Sequence, residues 1–127
     1  MNADERRYNE LTERVIGCIY AVSNALGCGF LEKVYRNALH VELTMNGLAA
    51  EPEKKIIVMY RGAVVGDYVA DLVVEGCILL ELKAVKALDE VHMAQCLNYL
   101  RATGMKVCLL VNFAKPRVEI RRVVNQF

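Results

Sequence analysis

Three charged residues stand inside otherwise apolar runs of this 127-residue chain. Asp71 interrupts Val69-Ala70-Asp71-Leu72-Val73-Val74, and Glu81 and Lys83 interrupt Ile78-Leu79-Leu80-Glu81-Leu82-Lys83. Side chains alternate along a strand, so Glu81 and Lys83 project from one face. A carboxylate on a covered sheet face is costly unless it is paired or binds a metal. Two arrangements meet that requirement: a Glu81–Lys83 ion pair at an exposed edge with Asp71 at a strand bend, or a cation site. Two further pairs bear on the choice. Glu32 and Tyr35 are three apart, and Gln95 and Tyr99 four apart, so each pair shares a helical face. The polar positions then run in the order Glu, Asp, Glu-x-Lys, Gln, Tyr.

The elements that carry these residues follow from periodicity. From about Tyr8, apolar residues recur as Leu11, Val15, Cys18, Ile19, Val22 and Leu26, the stripe of an amphipathic helix that Gly27 and Gly29 end. A second helix carries Leu31, Val34, Tyr35, Ala38, Leu39 and Leu43 and ends near Asn46-Gly47. After Pro52 the segments 55–60, 64–75 and 77–84 are β-branched and aliphatic, broken at Arg61-Gly62 and Glu75-Gly76, and read as an antiparallel meander. A helix over 89–103 is capped by Asp89 and closed by Gly104. Two strands follow, over 106–113 and 118–124. The order ααβββαββ predicts an α/β fold in one domain, a mixed sheet with helices packed against it.

Composition narrows the function classes. Apolar residues make up 55% and charged residues 24%, which is a folded globular chain. The net charge is +1, but it is unevenly spread. Residues 1–53 carry five basic and eight acidic side chains, 54–100 five and six, and 101–127 six and one. The excess in the last segment, Arg101, Lys106, Lys115, Arg117, Arg121 and Arg122, predicts either a phosphate-contacting patch or a solvated edge. No apolar run approaches the ~20 residues of a membrane span, and the N-terminal segment is polar, so a cytoplasmic location with no membrane partner is expected. Cys18, Cys28, Cys77, Cys96 and Cys108 form no C-x-x-C pair and read as small hydrophobes in a reducing compartment. No zinc-ligand spacing, P-loop, G-x-S-x-G elbow or Rossmann glycine pattern is present. His92, one turn before Gln95, reads as an exposed residue at a helix start or as one that approaches the site, and His40 as a surface residue.

The ordered set Glu32, Asp71, Glu81-x-Lys83, Gln95, Tyr99 resembles the PD-(D/E)XK nuclease superfamily, in particular its RecB-like nuclease branch. More closely, Gly29-Phe30-Leu31-Glu32-Lys33-Val34-Tyr35 resembles the signature of the GxxExxY protein family. The resemblance runs over 8–123 and includes Gly66-Asp67-Tyr68-Val69-Ala70-Asp71-Leu72, Glu81-Leu82-Lys83-Ala84-Val85 and Gln95-Cys96-Leu97-Asn98-Tyr99-Leu100. Ala70 stands where the superfamily's name has proline. The resemblance implies a restriction-endonuclease-like sheet and a metal-dependent nuclease acting on DNA, with Glu32, Asp71, Glu81, Lys83, Gln95 and Tyr99 as its catalytic set. Asp71, Glu81, the Leu82 carbonyl and Glu32 would hold Mg²⁺ or Mn²⁺, whose preference is for hard oxygen donors. Lys83 would orient water or stabilise phosphate, and Gln95 and Tyr99 would support the site. Arg117, Arg121, Arg122 and Tyr35 would contact the nucleic acid.

A competing reading is a non-catalytic nucleic-acid-binding or protein-interaction module, or an accessory subunit, that retains the fold. A chain this short has little beyond its core with which to read a target, so a homo-oligomer or a partner protein is expected. One geometric expectation separates the readings. For Asp71 and Glu81 to share a face, their strands must pair with opposed residue numbers of even sum. A three-residue loop at Glu75-Gly76-Cys77, or a bulge, achieves this by pairing Val74 with Ile78.

Overall fold

A computed structural model describes residues 2–125. The elements are α1 (Ala3–Leu26), α2 (Glu32–Met45), β1 (Ala50–Tyr60), β2 (Ala63–Val74), β3 (Ile78–Lys83), α3 (Glu90–Thr103), β4 (Val107–Asn112) and β5 (Glu119–Val124), in the expected order. The strands form one mixed sheet in the order β1-β2-β3-β4-β5. Only β3 and β4 are parallel, as a strand–helix–strand crossover through α3 requires. Apolar runs without alternation belong to strands covered on both faces, and every residue of β4 and nearly all of β3 are buried. Pro52 falls inside β1, where the outer position of the strand tolerates its missing N–H.

Helices α1 and α2 cover one face, where Ile19, Tyr35 and Leu39 meet Leu72, Leu80, Leu82 and Leu109. Helix α3 covers the other through Cys96, Tyr99 and Leu100 against Val73, Leu79, Cys108 and Leu110. Each such buried side chain contributes roughly 1.5–3 kcal/mol. Helix α1 starts five residues before the apolar stripe does. Its first turn is polar and solvent-facing, and is set by the Asn2 cap, whose Oδ1 accepts from Glu5 N at 2.8 Å. Asp89 caps α3 as expected, and His92 completes the cap by accepting from Asp89 N at 3.2 Å, which leaves this histidine half-buried. His40 is likewise half-buried. Of the five cysteines, Cys18, Cys96 and Cys108 are buried, Cys77 is half-buried, and Cys28 is exposed in the loop before α2.

The turn between β2 and β3 has the expected parity. Glu75 and Gly76 both have positive φ (53° and 67°), and Cys77 N donates to Val74 O at 3.0 Å. Cys77 then stands as one extra residue before pairing resumes at Val74↔Ile78, Val73↔Leu79 and Leu72↔Leu80. The even sum puts Asp71 level with Glu81.

Candidate active site

The regular ladders stop at Asp71. Toward β3 the pairing ends at Leu72↔Leu80. Toward β1 the register passes from Pro52↔Leu72 to Lys54↔Ala70 and skips Glu53, whose φ is +51°. The alternation of β2 slips at the same point: Leu72 and Val74 join the α1–α2 core, while Ala70 joins the α3 core with Val73. The carboxylates replace the missing ladder bonds. Asp71 N donates to Glu81 Oε1 at 3.3 Å, and Leu82 N donates to Asp71 Oδ2 at 2.8 Å. Among the described residues, the second oxygen of each carboxylate makes no hydrogen bond.

Asp71 and Glu81 are neighbours across the opened strands, each carboxylate accepting a bond from the other's strand, and they line two clefts. Asp71 borders a cleft of about 430 Å³ with Glu32, Lys33, Arg36 and Glu53. Glu81 and Lys83 border another of about 270 Å³ with His92, Gln95 and Cys96 from α3. The irregular backbone at Glu53 and Asp71 turns Asp71 out of the alternation that strand periodicity assumes.

Electrostatics set these carboxylates apart. Glu81 is only 6% exposed. Burial pushes its carboxyl up to about 8, with the Asp71 charge and Cys96 adding to the rise, while the Asp71 N–H and Lys83 oppose it. Burial also raises Asp71; the Leu82 N–H opposes this, Glu32 adds to it, and Lys83 and Arg36 oppose it. The Glu81–Lys83 ion pair does not form: among the described residues Lys83 makes no ion pair at all. Glu32 reaches the site from the first turn of α2, its Oε2 accepting from Ala84 N at 3.2 Å. Gln95 Nε2 donates to Tyr99 Oη at 2.6 Å, so the pair on α3 is joined directly.

Two residues at the site escaped the sequence reading. Arg36 borders the Asp71 cleft and bonds Glu53 at 3.0 Å. Its signal was the four-residue spacing from Glu32. Asn112 is fully buried at the end of β4. Its Oδ1 accepts from Val85 N and Ala114 N, and its Nδ2 donates to Val85 O and Glu119 Oε1, which ties the strand end beyond Lys83 to β4.

One expected nucleic-acid contact is corrected, and the expected basic contacts are divided between two faces. Tyr35 is fully buried. Its hydroxyl donates to Gly27 O at 2.6 Å and accepts from Phe30 N at 3.2 Å, and its ring stacks on Phe113 at 4.5 Å. A side chain so enclosed has no surface for a ligand; it holds the loop that leads into Glu32. The basic cluster does not form one patch either. Arg121 and Arg122 are successive residues of β5 and project from opposite faces, Arg122 Nη1 donating to Asn9 Oδ1 at 2.7 Å on the α1 side. Arg117 is exposed in the β4–β5 loop.

The donor set fits a hard divalent cation. Two carboxylates meet there, among the described residues neither closes an ion pair, and the Leu82 N–H is turned to the opened edge. Among the described residues no three Asp, Glu, His or Cys side chains gather closely enough to hold a metal. One or two carboxylates with water in the remaining positions is a donor set that Mg²⁺ takes.

No curated protein matches the chain. It is similar to the crystal structure of SSO0001, with a TM-score of 0.58 at 22% sequence identity over 95% of this chain and 61% of that one. That likeness bears on the fold alone, and the chain spans about three fifths of that protein's length. The profile of the PD-(D/E)XK nuclease superfamily matches residues 9–123, a stretch that contains Glu32, Asp71, Glu81, Lys83, Gln95 and Tyr99. The chain belongs to the PD-(D/E)XK nuclease superfamily.

Proposed function

We propose that this protein is a metal-dependent nuclease that hydrolyses phosphodiester bonds in DNA, a member of the GxxExxY family within the RecB-like branch. The observation that carries this reading is the break at Asp71, where two desolvated carboxylates meet and, among the described residues, neither closes an ion pair. Hydrolysis needs an activated water and positive charge near the phosphate in the transition state. When bound, Mg²⁺ or Mn²⁺ supplies both, held by Asp71, Glu81 and the Leu82 carbonyl, with Glu32 acting through water.

The chain's own side chains do the rest. Lys83 provides a fixed positive charge beside Glu81 and orients the phosphate. Arg36 faces Asp71 from the other cleft and adds a second cation for the substrate. Gln95 and Tyr99 hold one another and so fix the wall from which water is positioned. Target choice rests on a second copy or a partner protein.

The test is incubation with duplex, single-stranded and branched DNA in Mg²⁺, Mn²⁺ or EDTA. Cleavage is expected with either metal, none in EDTA, and none with Asp71→Asn. Cleavage by Asp71→Asn equal to that of the wild type would overturn the assignment.

A further inference from the structure

A larger cleft, about 500 Å³, opens between the β1–β2 hairpin and α3 and belongs to neither carboxylate. Tyr68 and Tyr99 form its aromatic wall, their ring centroids 5.4 Å apart and tilted by 47°. Tyr99 is buried at 7% exposure, whereas Tyr68 keeps 44% of its surface open. The Tyr68 ring has a built seat. A Cβ on Gly66 would meet Tyr68 Cε2 at 3.2 Å and Val58 Cβ at 3.3 Å, so glycine leaves the ring room to lie along the strand. Gln95, Asn98 and Arg101 of α3 line the opposite side. Gln95 also borders the Glu81–Lys83 cleft and so stands between the two.

We propose that this cleft is a nucleobase-stacking site that seats an unpaired strand of the substrate, with one base on Tyr68. The volume lies in the range of sites for small planar ligands. Every base has a π face that an aromatic ring accepts without regard to sequence. The amides of Gln95 and Asn98 offer donors and acceptors to base edges, and Arg101 offers a cation to the backbone. A base within a duplex has both faces occupied, so the ligand is single-stranded. Tyr68 lies three residues along β2 from Asp71, about 10 Å at strand spacing, or about three stacked nucleotides. The site therefore rests on the nuclease reading for what happens at its other end, and selects substrates with a frayed or single-stranded segment beside the cut.

The test uses the full chain in EDTA with labelled oligo(dT) of about 15 nucleotides and a blunt duplex of equal length. Tyr68→Ala is expected to weaken oligo(dT) binding about tenfold, Tyr68→Phe to bind as the wild type does, and duplex binding to stay unchanged. Should Tyr68→Ala fail to fold, a strand carrying 5-iodouracil gives an independent reading on the wild type: crosslinking at Tyr68 supports the site, and crosslinking only elsewhere overturns it. Equal oligo(dT) binding by Tyr68→Ala and the wild type overturns the stacking site, whatever the fate of the catalytic assignment. Self-association that Tyr68→Ala abolishes, without oligo(dT) binding, also overturns it and gives the face to a second copy. Tyr68-dependent binding with no metal-dependent cleavage supports the site while removing the nuclease reading.

Discussion

Glu81 shows what a buried carboxylate costs a fold. Its ordinary value is 4.5, and burial lifts it to about 8. Between those pH values the folded chain keeps a proton that the unfolded chain has lost. Metal-free stability from this group is therefore fully present below about 4.5 and falls as pH rises toward 8, by about 1.4 kcal/mol per unit. Glu81→Gln should remove that slope and raise stability at pH 8 on the order of 5 kcal/mol, read from urea unfolding at pH 5 and pH 8 in EDTA. At the proposed metal site a divalent cation would compete with the proton on Glu81, so Mn²⁺ titration at neutral pH should release a proton that Glu81→Gln does not. Asp71→Asn keeps an oxygen for the Leu82 N–H and should leave metal-free stability unchanged or higher; a loss above ~2 kcal/mol would mark Asp71 as structural. Tyr35 behaves in the opposite way. Tyr35→Phe strands the Gly27 carbonyl and the Phe30 N–H, and a loss of roughly 1–3 kcal/mol is expected in denaturant unfolding.

At the scale of elements, the helices and strands were legible because their periodicities are regular and their ends are marked by Asp89, Gly104 and the Gly-containing turns. Even the parity of the β2–β3 turn could be argued from the need to bring Asp71 level with Glu81. The slip at Asp71 was not legible. Glu53 adopts a positive φ that no residue preference announces, and the resulting break sends Ala70 and Leu72 to opposite cores although an alternating strand puts them together. Tyr35 was misread for a related reason: a tyrosine on a helical face looks the same in sequence whether its hydroxyl meets solvent or the Gly27 carbonyl. The break makes its own prediction. Glu53→Gly suits the positive φ and releases Arg36 from its ion pair, so cleavage should survive it, whereas Arg36→Ala should reduce cleavage without changing the unfolding free energy by more than about 1 kcal/mol.

The whole molecule places its candidate chemistry between α2 and α3, at the end of β3, with the basic C-terminal strand at the far edge of the sheet. Electrostatic attraction of nucleic acid then depends on which face a cation occupies. Arg121→Ala, on the α3 side with Glu81, should weaken DNA binding and lower its salt dependence. Arg122→Ala, whose guanidinium is engaged by Asn9, should do so less. Equal effects of the two would place the substrate path across the edge of the sheet instead. The turn at Glu75–Gly76–Cys77 joins the two halves of this molecule, and the single extra residue there decides which faces of those halves agree. A β3 paired one residue out of step would turn every one of its side chains inside out relative to β2, so the two buried faces hold this register against a change in loop length. An extra glycine after Gly76 should therefore swell the turn and leave Val74 opposite Ile78.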